Sequence, residues 1–297
     1  MHSTWSDGTD SPRELLDKVE NAGISYFAIT DHDEYRGSRE LLLQLKEMRD
    51  EVRPAFITGA EFSCRDEEGK YHILAYAYDT RSPEILALMD DVHRTRLEKT
   101  VNRMAFLKDK FGFTFSREEY DALMRHHNPG KPHIAKLMIR HGYAKTISDA
   151  IVNYIGRYHG PERRVRPEEA IEVTLKAGGI PVLAHGPFGD GEQNFGADEM
   201  EKRILRLKEA GLMGTEAFYS GYGAEHRDMM LELAGRYGLL VTAGSDYHGR
   251  NKSVRLGDTG PGGDEEKALA VSEFCTEAIL RSAAVSVPSS VAFSGEE

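Results

Sequence analysis

The stretch ISYFAITDHD, residues 24–33, decides how the rest of the chain is read. Its body is apolar, β-branched and aromatic, the composition of a buried strand. It ends in Thr30, Asp31, His32 and Asp33, so a buried strand delivers polar groups to the rim of a sheet. The same design repeats on either side. Upstream, SPRELLDKVENAG (residues 11–23) reads as a helix: Ser11 is the N-cap, Pro12 opens the first turn, Glu14 completes a capping box and Gly23 stops it. Downstream come a helix (residues 38–51), a strand PAFITGAEFSC (54–64) and a strand KYHILAYAYD (70–79). From residue 166 the alternation resumes, with strands over 180–186, 214–220 and 239–249 separated by helices. This order predicts a largely parallel sheet covered by helices, an α/β fold.

Between these halves the pattern changes. Residues 83–166 hold mostly helical periodicity and few strand-like runs, which reads as an inserted helical subdomain. The expected organisation is a discontinuous barrel domain over 1–82 and 167–260 and the insertion over 83–166. A C-terminal helix and a disordered polar tail follow over 261–297.

The 297 residues suffice for one large domain carrying an insertion. A hydrophobic content of 40% and a charged content of 29% are those of a soluble globular protein. No apolar run reaches the length of a membrane span and no signal peptide is visible, so no membrane partner is expected. Cys64 and Cys275 are too few for a disulfide framework, which fits a reducing cytoplasm. The net charge of −11 argues against binding long nucleic acid, but not against a small phosphorylated substrate.

Metal-type residues recur at the strand ends: His32, then Glu61, His72, His185, and Asp246 with His248. His2 and Asp7 stand at the start of the chain. A barrel would gather all eight around one point, and imidazole with carboxylate suits Mn²⁺, Fe²⁺ or Zn²⁺. Any one of them alone reads more simply as a hydrogen-bonded or ion-paired residue. Together they would bury charge that needs a metal or a partner. His93, His126, His127, His141, His159 and His226 fall on helices or loops, where solvated or locally bonded histidine is the ordinary reading. Lys131 and His133 sit in a turn feeding a helix, which could hold an anion or be a plain N-cap region. Lys252 and Arg255, after the last strand, could meet a phosphate or be surface cations. Tyr219 and Ser220 could line the pocket or cap a strand. Gly186, Pro187, Gly189, Asp190 and Gly191 read as an irregular rim loop.

Ser6-Asp7-Gly8, Ile29-Thr30-Asp31-His32-Asp33, Gly59-Ala60-Glu61, Leu183-Ala184-His185 and Gly244-Ser245-Asp246-Tyr247-His248-Gly249 resemble the motifs of the PHP (polymerase and histidinol phosphatase) superfamily. Lys131-Pro132-His133-Ile134-Ala135 resembles an Arg-Pro-His-Ile-Ala element of its small-molecule phosphoesterases with an inserted helical domain. The resemblance covers about residues 1–260. It implies a distorted seven-stranded β/α barrel, two or three divalent metals, with Mn first and Fe or Zn as alternatives, and hydrolysis of phosphate esters. It implies that His2, Glu61 and Asp246 hold one metal. Glu61 would bridge to a second, held also by His72 and His133, and Asp7, His32, His185 and His248 would complete a third position. Asp246, His248 and His185 carry the catalytic role in this reading, and Lys131, His133, Tyr219, Ser220, Lys252 and Arg255 meet the substrate.

The chain departs from the family pattern twice. The family's Asp-Leu-His-x-His-Ser motif aligns its second His with His2, so the first His and its strand are expected upstream of Met1. Gly186-Pro187 replaces a frequent His-Pro pair. The leading expectation is hydrolysis of a nucleotide mono- or bisphosphate. The alternatives are a cyclic phosphodiesterase or histidinol-phosphate-type phosphatase, a short-oligonucleotide exonuclease and a degenerate binding module.

Overall fold

The computed structural model describes residues 1–48, 53–126, 129–160, 163–189 and 193–286. The expectations for His127, for Asp190 and Gly191 and for the part of the disordered tail beyond residue 286 lie outside the described residues; residues 283–286, expected in that tail, continue the C-terminal helix. The backbone divides into two compact units, Met1–Leu86 with the chain from Val165 onward, and Ala87–Arg164.

In the first unit α1 (Pro12–Asn21) leads to β1 (Tyr26–Ile29), α2 (Arg36–Glu47) to β2 (Ala55–Arg65), and β2 directly to β3 (Lys70–Tyr76). The Ser11–Glu14 capping box forms as its spacing demands. Within this unit the sheet lines up its strands in chain order. The expectation of a largely parallel sheet is corrected at β3, which runs antiparallel to β2 and to the strand that follows it in the sheet. The cause is the short connection. Asp66 accepts hydrogen bonds from the Glu68 and Gly69 amides to close a turn, whereas a parallel return needs a crossover of about a dozen residues or more. The reversal has a functional consequence, because it brings the start of β3 to the rim, with His72 opposite Ser63.

The rest of this unit is α7 (Pro167–Lys176), β4 (Ile180–Ala184), α8 (Ala197–Glu209), β5 (Gly214–Tyr219), α9 (Ala224–Tyr237), β6 (Leu240–Gly244) and α10 (Asp264–Ser286). β1–β2, β4–β5 and β5–β6 pair parallel. The sheet curls until its edges, β1 and β6, approach one another. The Thr30 amide donates to the Met1 carbonyl and the His2 amide to the Tyr247 carbonyl, both at 2.8 Å, so the first two residues tie the ends of both edge strands. Between Tyr26, Phe27 and Ala28 on one edge and Thr242, Ala243 and Gly244 on the other lies an apolar cavity of about 330 Å³, backed by Phe274 of α10. Six strands are present among the described residues, where seven were expected.

The α1 face packs Leu15, Leu16 and Val19 against Phe27, Ile29 and Leu41. Phe274 and Ala278 of α10 cover Ile57, Leu74, Ile180 and Val182. Burial of each such large side chain contributes about 1.5–3 kcal/mol and fixes the strands whose ends carry the polar groups. Among the described residues, no helix is long and apolar enough to cross a membrane.

The second unit is helical. It holds α3 (Pro83–Phe111) from Ala87 onward, with α4 (Arg117–Met124), α5 (Lys131–Arg140) and α6 (Ile147–Asn153). Its own core packs Met104, Leu107, Leu123, Ile134, Leu137 and Met138, bordered by aromatic residues such as Phe111, Phe113 and Tyr143.

Candidate metal centre

The chain start builds one wall. Asp31, buried after β1, accepts hydrogen bonds from the Ser3 amide at 2.7 Å, Ser3 Oγ at 2.6 Å and Ser6 Oγ at 2.6 Å. This clamp folds residues 2–8 over the sheet and presents His2 and Asp7. Gly8 permits it, since a Cβ there would lie 2.1 Å from the His2 carbonyl oxygen. β2 supplies Glu61 and β3 supplies His72. His185 follows β4, and Asp246 and His248 follow β6. His185 and Asp246 both have positive φ, at 27° and 52°, a strained backbone that concentrates at functional sites.

Glu61 is the hub. Its Oε1 lies 2.6 Å from His72 Nδ1 and 3.2 Å from His185 Nε2. Its Oε2 lies 3.1 Å from His2 Nε2 and 4.0 Å from His32 Nδ1. Asp246 Oδ1 is 3.1 Å from His2 Nε2, while its Oδ2 meets Lys252 Nζ at 2.6 Å and accepts from the Tyr219 hydroxyl at 3.2 Å. Among the described residues, three sets of potential ligand atoms each lie within 4.8 Å: His2, Asp7, His32 and His248; His32, Glu61 and His72; and His2, Glu61 and Asp246.

The donor atoms fit cations. His2 Nδ1 and His32 Nδ1 are buried without a hydrogen-bond partner, while His248 Nε2 faces the Asp7 carboxylate at 3.2 Å. All belong to the set that includes Asp7, and an orphaned buried polar atom costs about 1–3 kcal/mol that a bound cation would remove. The titration behaviour follows from the crowding. Burial opposes a charged His2, but hydrogen bonds to Asp246 and Glu61 outweigh it and raise its pKa to about 9. Burial dominates at His32 and lowers its pKa to about 3. Burial alone would raise Glu61, yet the imidazoles around it hold it well below the usual carboxylate range.

Of the residues expected at the site, His2, Asp7, His32, Glu61, His72, His185, Asp246 and His248 come together. Tyr219 and Lys252 reach them through Asp246. Ser220 is held by its backbone, its amide donating to the Gly244 carbonyl at 3.3 Å, and Arg255 is an exposed side chain. Lys131 and His133 lie on α5 in the helical unit, where His133 Nδ1 accepts from the Gly130 amide. His141 and His226 pair locally with Glu119 and Asn194.

One buried acid escaped the sequence reading. Glu216 on β5 accepts the His185 amide at 2.9 Å, and burial pushes its pKa up to about 7. It positions the strained His185. Gly244 leaves room for it, since a Cβ there would lie 1.8 Å from Glu216 Oε1. A lone acid inside the otherwise apolar strand GTEAFY was the available signal.

The curled α/β sheet with acids and imidazoles gathered at its rim defines a class of metal-dependent hydrolases. The PHP domain family matches residues 1–160, more than half of the chain, and the chain belongs to that family. It is a metal-dependent phosphoric ester hydrolase. It is 29% identical to a 5'-3' exoribonuclease of Haemophilus influenzae, covering 83% of this chain and 88% of that one. It is 27% identical to a phosphoribosyl 1,2-cyclic phosphate 1,2-diphosphodiesterase of Eggerthella lenta (84% and 93% covered). It is 25% identical to a 3',5'-nucleoside bisphosphate phosphatase of Chromobacterium violaceum (86% and 88% covered). Among solved structures, a metal-dependent phosphoesterase from Bifidobacterium adolescentis superposes with a TM-score of 0.71 at 28% identity, covering 91% and 93% of the two chains.

Proposed function

We propose that this protein hydrolyses the phosphate ester of a small metabolite, a nucleoside mono- or bisphosphate, with two or three divalent ions, Mn²⁺ first and Fe²⁺ or Zn²⁺ as alternatives. The observation that carries the reading is the pair of buried, unpartnered imidazole nitrogens of His2 and His32 gathered with His248 around Asp7. His2, Glu61 and Asp246 would hold one ion, Glu61 with His72 and His32 a second, and Asp7 with His248 a third. Once bound, the ions would lower the pKa of a water and draw charge from the phosphate oxygens.

The chain's own groups do the rest. Glu61 fixes the spacing of the imidazoles around it. The Tyr219 hydroxyl and Lys252 ammonium hold one oxygen of Asp246, leaving the other facing His2. Lys252, partly exposed beside Asp246, would meet an incoming phosphate. His185, held by Glu216, and His248, whose Nδ1 lies 2.7 Å from the Asp246 carbonyl oxygen, are the candidates to pass a proton to the leaving oxygen. The curled six-stranded sheet supports a seven-stranded barrel, with the apolar cavity between β1 and β6 as the place of the further strand.

The relatives named exoribonuclease and cyclic diphosphodiesterase support a second reading, attack on a phosphodiester. A panel of aryl phosphate, nucleotide 3′- and 5′-phosphates, nucleoside 3′,5′-bisphosphates, cyclic phosphates and short oligoribonucleotides tests both. Highest kcat/KM on a bisphosphate supports the first reading, and preference for the oligonucleotide or the cyclic ester supports the second. No turnover of any of them with Mn²⁺ present would sink both.

A further inference from the structure

We propose that Trp5 and Asn251 are positioning residues for Asp7, holding its carboxylate where the third ion of the reading above would bind; the inference rests on that reading. The potential ligand atoms of His2, Asp7, His32 and His248 lie within 4.8 Å of one another, yet the four residues are held unequally. His2 and His248 are buried and His32 is half-buried, whereas Asp7 is exposed in a turn over residues 4–7. Its Oδ1 reaches His248 Nε2 at 3.2 Å and His2 Nδ1 at 3.8 Å. Little packing fixes an exposed side chain, so its aim depends on the contacts that fix the backbone carrying it.

Trp5, the chain's only tryptophan, ties the turn to α2. Its indole Nε1 donates to Glu40 Oε2 at 2.7 Å, and the Arg36 guanidinium lies 5.7 Å from the centre of its ring. Arg36, Glu40 and Gln44 stand at i, i+4 and i+8 on α2 and share one face of that helix. Gln44 Nε2 donates to Glu40 Oε1 at 3.0 Å, which leaves Oε2 for the indole. A hydrogen bond to a carboxylate is short and directional, so the grip on the ring is firm. From the side of β6, Asn251 Nδ2 donates to the Asp7 carbonyl oxygen at 2.7 Å, and the Arg250 amide donates to Thr9 Oγ1 at 3.0 Å. The segment that supplies His248 therefore also grips the backbone of Asp7.

The clamp on Asp31 acts through Ser3 and Ser6, ahead of Asp7. Trp5 restrains the same turn through its side chain, and Asn251 restrains the carbonyl of Asp7 itself. Groups that ligate metals are oriented by such outer contacts, and losing one typically costs about 10–100-fold in metal affinity. The sets His32, Glu61, His72 and His2, Glu61, Asp246 do not contain Asp7. The contacts of Trp5 and Asn251 thus act on one ion position and leave the two around Glu61 alone.

The test titrates the full chain, stripped with chelator, with Mn²⁺ by calorimetry. Asp7→Asn defines the loss of the third position: one class of ions should bind at least tenfold more weakly while the others keep their affinity. Trp5→Phe keeps a ring beside Arg36 but loses the donor to Glu40, and Asn251→Ala loses the donor to the Asp7 carbonyl. Each should weaken the same class about tenfold with an unchanged circular dichroism spectrum. Combined with Asp7→Asn, either change should add less than twofold, because both act through Asp7. Glu40→Ala serves if Trp5→Phe does not fold, and Glu40→Gln, which keeps an acceptor for the indole, should stay within twofold of wild type. Trp5 emission gives a second readout, its change with Mn²⁺ moving to at least fivefold higher concentration in Asn251→Ala. Unchanged Mn²⁺ affinity in the folded variants overturns the proposal, and so does equal weakening of every class of ions or full additivity with Asp7→Asn. Wild type that takes up no Mn²⁺ would sink the metal reading and this inference together; wild type that takes up its ions beside silent variants would sink this inference alone.

Discussion

The two units of this chain are held by different means. At the rim of the curled sheet Glu61, Asp246 and Asp7 crowd together with five imidazoles, and His2 Nδ1 and His32 Nδ1 are buried without a hydrogen-bond partner. The helical unit closes around an apolar core of Met104, Leu107, Leu123, Ile134, Leu137 and Met138. An apolar core is favourable in the protein alone, whereas crowded titratable groups become favourable when a counter-ion of the right sign arrives. Nitrogen and oxygen donors facing inward suit a divalent cation.

The largest effect expected follows from removing the hub of the acidic cluster. Glu61→Gln withdraws a carboxylate facing four imidazoles. Loss of an outer-shell partner alone typically costs about 10–100-fold, so a shared ligand should cost more than about 10²-fold in kcat/KM on aryl phosphate and lower the metal content. A smaller loss is expected for Glu216→Gln, which touches only the His185 amide: about 10-fold in kcat with metal content retained. Equal damage from both changes would break the distinction between holding a cation and positioning a residue that does.

The rim should also respond to pH. In chelator-treated protein His2 keeps its proton up to about 9, against about 6.5 when unfolded. A raised histidine contributes stability that is complete below 6.5 and lost as pH rises through 9. The melting temperature of metal-free protein should therefore fall between pH 7 and 8.5, and His2→Gln should flatten that slope.

The smallest effect separates folding from binding. Ser116 caps α4 in the helical unit with a capping box, and Ser116→Ala should cost about 1 kcal/mol of stability. Denaturant unfolding checks it, and aryl phosphate turnover should not change.

The sequence made the barrel rim legible because a buried strand ending in His32 or Asp246 is a strong local signal. All eight expected residues meet, although they are spread from His2 to His248. The direction of β3 was less legible, since alternation of strands and helices masks one tight turn at Asp66–Gly69. Glu216 was missed because it lies within its strand, where the rim pattern does not look.

Hydrolysis by this chain should depend on divalent ions held at the rim of the curled sheet. Elemental analysis of the full chain after Mn²⁺ loading and gel filtration, read beside aryl phosphate turnover, measures this directly. The expected result is two or more ions per chain, loss of turnover on chelation with recovery on re-addition, and a parallel loss of ions and turnover in Glu61→Gln. A chain that retains no ion, or one that turns over aryl phosphate at an undiminished rate after chelation, would contradict it.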